Sequence, residues 1–218
     1  MSETTPSIGG LPRLNEPAPQ FTAPSTHGEI SLSDYKGKWV VLFSHPADFT
    51  PVCTTEFVGF ARESAAFEAM NTQLIGLSID SIYSHIAWMR SIEHHFDVKV
   101  TFPVIADLSM SVAKAYGMLH PGASATATVR TVFVIDPEQN VRAMIYYPLT
   151  TGRVIGEVKR LVQALQLNSA KGLATPEGWQ PGDMCIVPPP ATLAAADARM
   201  KSDYKVTDWY FSKTDCPS

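Results

Sequence analysis

Short apolar runs alternate with amphipathic segments along the first two-thirds of the chain. The uncharged run at residues 39–43 is rich in β-branched and aromatic side chains, which is typical of a buried strand. After it, side chains suited to one helix face recur at steps of four, three, four and three residues, at Cys53, Phe57, Phe60, Ser64 and Phe67. This change of period predicts a strand followed directly by a helix.

The same alternation continues to about residue 167. It predicts a hairpin at 21–32, strands at 39–43, 73–80, 102–107, 129–135 and 141–147, and helices from Pro51 to about Asn71 and at 84–96, 109–116 and 152–167. Strands that alternate with helices predict parallel pairing through right-handed crossovers. We therefore expect an α/β domain over residues 1–169, with a central mixed β-sheet flanked by helices.

Residues 170–218 have a different pattern. Pro188 to Pro190 interrupt them, and only residues 191–200 predict a helix. The cluster Trp209-Tyr210-Phe211 is too apolar to be left in water. We interpret this segment as a C-terminal arm that contacts another copy of the chain.

Composition narrows the classes of function. The net charge of -4 provides no basic surface for nucleic acid or for anionic membranes. No apolar run reaches the roughly 18 residues of a membrane helix, and the first residues do not resemble a signal peptide. Three cysteines, at 53, 185 and 216, form no disulfide framework, so we expect a cytoplasmic protein.

Cys53 lies where a thiol becomes reactive. Thr50 is suited to the N-cap and Pro51 to the first helical position, which places Cys53 in the first turn. Unpaired backbone N–H groups and the positive end of the helix dipole favour a thiolate there. The alternative is a small buried hydrophobic residue, but the capped helix start favours the reactive interpretation.

Dithiol oxidoreductases have Cys-x-x-Cys at such a helix start, and here Thr50 takes the place of the first cysteine. The pattern of Pro46, Thr50 and Cys53 resembles the active-site signature of the peroxiredoxins, and residues 43–56 resemble their one-cysteine class. The resemblance implies a thioredoxin-like fold, with 1–169 as the peroxidase domain and 170–218 as the arm that makes oligomer contacts.

The resemblance also assigns roles to individual residues. Cys53 would attack the peroxide, Thr50 would orient peroxide and thiolate, and Pro46 would shield the site from water. Arg130 matches the arginine that faces the thiolate. Strand alternation independently places its charge on one face with Val132 and Val134, although an outward-facing arginine would give the same pattern.

Three further residues match the family, but each also has an ordinary structural explanation. Glu56 resembles the glutamate that orients the arginines, but it also suits an ordinary first helical turn. Arg153 matches a second arginine, but it also suits a solvated helix start. His45 is placed near the cysteine by the resemblance, or it is a core histidine satisfied by backbone.

The other two cysteines are harder to assign. Some family members have a cysteine directly after the Asp-Trp-aromatic-Phe cluster, where this chain has Ser212. Cys185 is suited to a buried structural thiol, and Cys216, near a chain end expected to be mobile, is a candidate resolving cysteine. We expect one-cysteine behaviour in which Cys216 is not required.

The function implied by the resemblance is a thiol peroxidase for hydrogen peroxide and organic hydroperoxides, serving antioxidant defence and redox homeostasis. No cofactor or metal is implied, and the adjacent His94 and His95 point in different directions on a helix. Expected partners are an external thiol of thioredoxin, glutaredoxin or small-thiol type and further copies, in a homodimer or a higher ring. The alternatives are a protein-binding holdase oligomer and, disfavoured by Thr50, a dithiol oxidoreductase.

Overall fold

The computed structural model describes residues 11–216. The chain divides into two compact units, a core unit that ends at Ile155 and an arm unit that begins at Gly156. Within the described residues, no helix has both the length and the apolar composition needed to cross a bilayer.

The core unit contains one seven-stranded mixed sheet in the order β2-β1-β5-β4-β3-β6-β7. Strands β3, β4 and β5 are parallel, and the other pairs are antiparallel, which confirms the predicted parallel pairing and the predicted hairpins. The elements in chain order are β1 (Thr22–Ser25), β2 (Gly28–Ser31), a 3₁₀ turn (Leu32–Tyr35), β3 (Trp39–Ser44), α1 (Pro51–Ala69), β4 (Thr72–Ser78), α2 (Ile82–Phe96), β5 (Val104–Ala106), α3 (Ser111–Ala115), β6 (Arg130–Ile135) and β7 (Val141–Tyr147).

Strand β3 is buried along its whole length, as its uncharged sequence predicts. Successive side chains of a strand point to opposite faces of the sheet. Val40 and Leu42 pack in the hydrophobic cluster on one face, and Phe43 points to the opposite face. Phe43 stacks on Phe60 of α1 with the ring centroids 4.0 Å apart, and Phe57 lies edge-on at 5.5 Å. These contacts fix the first half of α1 against the end of β3.

The arm unit has its own small sheet, in the order β8-β10-β9. Its elements are α4 (Ile155–Lys171), β8 (Cys185–Val187), α5 (Leu193–Arg199), β9 (Lys205–Asp208) and β10 (Phe211–Thr214). The sequence did not predict these strands, because segments of three or four residues are too short to give a periodic pattern. They form by pairing with one another across loops.

The units divide earlier in the chain than the expected boundary between residues 169 and 170. Ala164 of α4 packs in one cluster with Trp179 and Cys185, and Leu167 lies against the same cluster. The helix therefore supplies part of the core of the arm unit, which its amphipathic pattern alone could not reveal.

The cysteine assignments require a correction. Cys185 and Cys216 form a disulfide, so the expectation of two separate thiols was wrong. The ladder of β10 and β8 pairs Thr214 with Cys185, and Cys216 follows two residues later with its Cα 5.4 Å from that of Cys185. The sequence expectation failed because this approach depends on strands that no local pattern predicts.

Candidate active site

Cys53 lies in the first turn of α1, as predicted. Thr50 has the extended backbone of an N-cap and Pro51 begins the helix. The Thr50 hydroxyl does not cap the helix but donates to the carbonyl of Ala47 at 2.8 Å, which holds the preceding loop in a turn. Cys53 is a free cysteine with no exposed surface. Its sulfur is thus kept from bulk water while it remains at the positive end of the helix.

Arg130 faces inward and reaches the sulfur of Cys53. Its Nη1 lies 3.3 Å from Cys53 Sγ, and the residue is 2% exposed. Its Nε and Nη2 donate to the carbonyl of Leu149 at 3.0 and 2.8 Å, which fixes the plane of the guanidinium. The outward-facing alternative left open by strand alternation does not occur, and a fixed positive charge lies beside the thiol.

Glu56, one helical turn after Cys53, joins two arginines. Its Oε2 accepts from Arg130 Nη1 and from Arg153 Nη2, both at 2.7 Å. Its Oε1 accepts from the Nε and the backbone N–H of Arg153, both at 2.8 Å. All three side chains are at most 3% exposed. Glu56 is therefore not the solvated first-turn acid of the plainer interpretation.

The charges of this network set the ionisation of Glu56. Burial acts to raise its pKa, but the hydrogen bonds and charge of Arg153, with the charge of Arg130, outweigh burial and lower the pKa below its ordinary value. Glu56 is therefore a carboxylate at neutral pH. It partly neutralises two buried guanidinium groups that would otherwise lie together.

Arg153 is buried and does not lie at a solvated helix start. Its Nη1 donates to the carbonyl of Thr131 at 2.7 Å. Its guanidinium carbon lies 5.4 Å from the ring centroid of Phe43 and 5.8 Å from that of Phe60. Arg153 thus connects α1 to β6 through Glu56 and the strand backbone, and holds Glu56 in place for Arg130.

His45 belongs to a second buried group. Its Nε2 lies 2.8 Å from Oδ1 of Asp48, so a side chain rather than backbone meets this nitrogen, and its ring packs on Phe57 and Trp88. Its Nδ1 is buried with no hydrogen-bond partner among the described residues. Burial lowers the pKa of His45 despite the nearby carboxylate. The other carboxylate oxygen of Asp48 lies 2.7 Å from Nδ1 of His85.

This group fixes the loop before Cys53 to α2 and to the sheet. Burial acts to raise the pKa of Asp48, but the bonds from His45 and His85 outweigh it and hold the pKa well below its usual range. Nε2 of His85 lies 3.1 Å from the carbonyl of Ile105, so both nitrogens of that ring face acceptors. The three side chains have the residue types of a metal site, but their facing atoms already bond to one another.

Sequence reasoning missed Asp48 and His85. Asp48 lies within the motif loop, where its position between Pro46 and Thr50 was a usable signal. His85 is one position in a predicted helix, and nothing local distinguishes it. His94 and His95, which could have suggested a metal pair, are exposed, as expected of surface histidines.

Beside Thr50 there is a mostly apolar groove of about 450 Å³. It is lined by Phe49, Thr50, Pro51, Thr54, Thr55, Trp88, Ser91, Ile92 and Phe96. Phe49 is 58% exposed, and Pro46 on the same loop is half-buried. The groove places an apolar surface next to the hydroxyl expected to bind peroxide.

Comparison with known proteins gives matches over most of the chain. Residues 14–144 match the AhpC/TSA family, and residues 164–203 match the C-terminal domain of 1-Cys peroxiredoxin. A peroxiredoxin of Aquifex aeolicus is 55% identical over 94% of this chain and 98% of its own length. A peroxiredoxin of Methanosarcina mazei is 53% identical over 92% of this chain and 96% of its own length.

Solved structures agree with these matches. A yeast mitochondrial 1-Cys peroxiredoxin, studied for thiol resolution through the glutathione and thioredoxin systems, is 42% identical with a TM-score of 0.84, over 93% of this chain and 99% of that one. A cysteine-to-serine mutant of peroxiredoxin 6 from Arenicola marina is 36% identical with a TM-score of 0.83, over 94% of this chain and 99% of that one.

Proposed function

This chain belongs to the AhpC/TSA family of peroxiredoxins, and from that premise we propose that it is a thiol peroxidase that reduces hydrogen peroxide and organic hydroperoxides at Cys53. One observation carries the proposal: a buried, free cysteine in the first turn of α1 has a fixed arginine nitrogen 3.3 Å from its sulfur. This arrangement brings a sulfur, a positive charge and shielding from water together at one point.

In the proposed reaction, the Cys53 thiolate attacks one oxygen of the peroxide. The S–O bond forms as the O–O bond breaks, and the second oxygen leaves with the electron pair and is protonated to water or an alcohol. Arg130 stabilises the thiolate and then the departing oxygen, and Thr50 hydrogen-bonds to the peroxide. Cys53 is left as a sulfenic acid.

The surrounding residues act through these three. Glu56 and Arg153 are positioning residues, because Glu56 accepts a hydrogen bond from Arg130 and Arg153 holds Glu56 in place. Pro46 shields the thiolate, and His45 fixes the loop through Asp48. The roles of Glu56, Arg153 and His45 rest on the contacts described above together with the family motif, and the role of Pro46 rests on the motif.

The surroundings of Thr50 also suit the two proposed classes of substrate. The apolar groove beside Thr50 accommodates the organic part of a hydroperoxide, while hydrogen peroxide needs only the polar site. An external thiol of thioredoxin, glutaredoxin or small-thiol type completes the cycle. We place the enzyme in the cytoplasm, where it would contribute to antioxidant defence.

We further propose a homodimer or higher ring in which residues 170–218 contact another copy. Trp209, Tyr210 and Phe211 are 44%, 56% and 37% exposed within a single chain. These aromatic side chains also support the second candidate function, a holdase that binds unfolded proteins. The holdase would be favoured if the wild type failed to turn over peroxide while Cys53→Ser still suppressed the aggregation of unfolded proteins.

Stopped-flow measurement of peroxide consumption tests the proposed function. Cys53→Ser keeps the shape of the side chain but removes the ionised sulfur, so consumption should fall to the uncatalysed level while circular dichroism is unchanged. Wild-type protein whose thiols have been reduced should consume peroxide rapidly under the same conditions. Rapid consumption by Cys53→Ser would refute the assignment.

A further inference from the structure

The disulfide between Cys185 and Cys216 lies outside the active site, in the arm unit. We propose that these two cysteines form a relay that resolves the oxidised Cys53: Cys216 captures the sulfenic acid, and Cys185 then releases Cys53 by forming the observed disulfide. The proposal rests on the peroxidase function proposed above. It assigns a role to Cys185, for which the family motif supplies none.

The two cysteines differ in a way that suits these two steps. Cys216 is partly exposed and lies beyond the end of β10, whose ladder with β8 stops at Thr214. Reduction of the disulfide therefore removes the covalent link that ties this part of the chain to the sheet. Cys216 can then move to an oxidised cysteine, as exchange requires.

Cys185 is suited to the second step because it stays in place. It has no exposed surface and lies in β8, which pairs with β10 on one side. On the other side, Ile186 exchanges backbone hydrogen bonds of 2.8 and 3.0 Å with Ala174. Cys185 is therefore held in the sheet, in a packed cluster with Trp179, at the position to which Cys216 returns.

The sequence of steps is balanced in atoms and electrons. The Cys216 thiolate attacks the sulfur of the Cys53 sulfenic acid, the S–O bond breaks, and the oxygen leaves as water after protonation. The Cys185 thiolate then attacks Cys216, and Cys53 leaves as a thiolate. An external dithiol reduces the Cys185–Cys216 bond to two thiols and becomes a disulfide itself.

The cytoplasmic location proposed above favours a transient disulfide over a permanent one. In a reducing cytoplasm a disulfide is usually transient and takes part in catalysis or sensing. The relay also predicts that little Cys53–Cys216 crosslink accumulates in the wild type, because Cys185 removes it. Scarcity of that crosslink would otherwise be taken as a sign that Cys216 has no role.

The test starts from full-length protein reduced with dithiothreitol and then freed of it. One equivalent of hydrogen peroxide should give the Cys185–Cys216 disulfide by peptide mapping, with Cys53 recovered as a thiol. A second equivalent should then give the Cys53 sulfenic acid. Wild type should thus consume two equivalents rapidly where a protein lacking the relay consumes one.

Three variants separate the steps. Cys185→Ala, chosen because this site is apolar, should consume one equivalent and trap the Cys53–Cys216 disulfide. That species supports the relay whether it runs as a monomer or as a crosslinked dimer on a non-reducing gel. Cys216→Ser should consume one equivalent and stop at the sulfenic acid, and Cys53→Ser should not form the arm disulfide rapidly.

Three results would overturn the relay. They are a wild-type sulfenic acid beside two intact arm thiols, an arm disulfide that resists dithiothreitol in the folded protein, and an arm disulfide that forms equally fast in Cys53→Ser. In the first case rapid peroxide consumption would leave the proposed function intact. Peroxide consumption no faster than that of Cys53→Ser would instead refute the peroxidase function itself.

Discussion

Replacing Glu56 by Gln tests the network that holds Arg130 at the sulfur of Cys53. The substitution keeps the shape of the side chain but removes its charge. Glu56 accepts from two donors at each carboxylate oxygen, namely Nε and N–H of Arg153 at one, and Nη1 of Arg130 with Nη2 of Arg153 at the other. Whichever way the amide is placed, two of these donors then face an NH₂ group.

The expected cost follows from the burial of the network. Glu56 is the carboxylate that pairs with both buried guanidinium groups, and the variant leaves those two positive charges without it. Removing one partner of a buried ion pair costs about 3–5 kcal/mol, because the remaining charge has neither water nor a counter-charge. We expect the free energy of unfolding to fall by about that much at pH 7.

Glu157→Gln is the matched control. Glu157 pairs with Arg160 on α4, where the side chains are 43% and 22% exposed. Because water screens such a pair, its loss should cost at most about 1 kcal/mol. The same chemical change at a buried and at an exposed position therefore isolates the effect of burial.

The difference between wild type and Glu56→Gln should also depend on pH. The pKa of Glu56 is lowered in the folded chain although burial opposes this, because the bonds and charge of Arg153 and then the charge of Arg130 stabilise the carboxylate. The resulting stability is present above the ordinary pKa of 4.5 and is lost as the pH falls through the lower folded value. The variant has no such carboxyl, so the two proteins should become more alike in acid.

Urea denaturation at matched protein concentration measures the free energies, and stopped-flow kinetics measures the reaction with peroxide. We expect Glu56→Gln to react more slowly, because Arg130 loses the partner that orients Nη1. Two results together would show that Glu56 neither balances nor orients the arginines. The free energy of unfolding lost in Glu56→Gln would lie within about 1 kcal/mol of that lost in Glu157→Gln, and the rate of reaction with peroxide would be unchanged.

Three more predictions address the sulfur and the arm. Arg130→Met should slow the reaction of Cys53 with peroxide by at least about tenfold, the effect expected from losing one charge-assisted contact. Arg62 is exposed, so Arg62→Met should leave the rate unchanged. Equal rates for the two variants in stopped-flow assays would contradict the role of Arg130. Reducing the Cys185–Cys216 bond, which spans 31 residues, should destabilise the arm unit by roughly 4 kcal/mol on the chain-entropy estimate. Hydrogen exchange at β8 and β10 would then speed up on adding dithiothreitol in wild type but not in Cys185→Ala. Combined Trp209→Ser and Tyr210→Ser substitutions should weaken assembly in sedimentation experiments with little change in chain stability, and an unchanged oligomer would exclude these aromatic residues from the contact.

Comparing sequence and structure shows where local information suffices. The position of Cys53 in the first turn of α1 follows from Thr50, Pro51 and the apolar spacing after them, all within one helix. The burial of β3 follows in the same way from an uncharged run. Such features depend on side chains a few residues apart, and the chain therefore determines them before any distant segment is placed.

The family resemblance carried the prediction further than periodicity could. Strand alternation allowed Arg130 to point either way, and only the motif match favoured the inward orientation that the structure has. Glu56 and Arg153 each had a plausible solvated alternative. Their buried contact joins residues 97 positions apart, a distance over which no spacing rule acts.

Only the tertiary structure decided the remaining pairings. Asp48 meets His85 across 37 residues, and Cys185 meets Cys216 across 31. In both cases no local pattern pairs the two residues, and the contact exists because sheet pairing and helix packing bring separate segments together. The sequence by itself therefore determined the position of Cys53 and the helix that presents it, whereas folding determined which charges each residue meets and which sulfur pairs with Cys185.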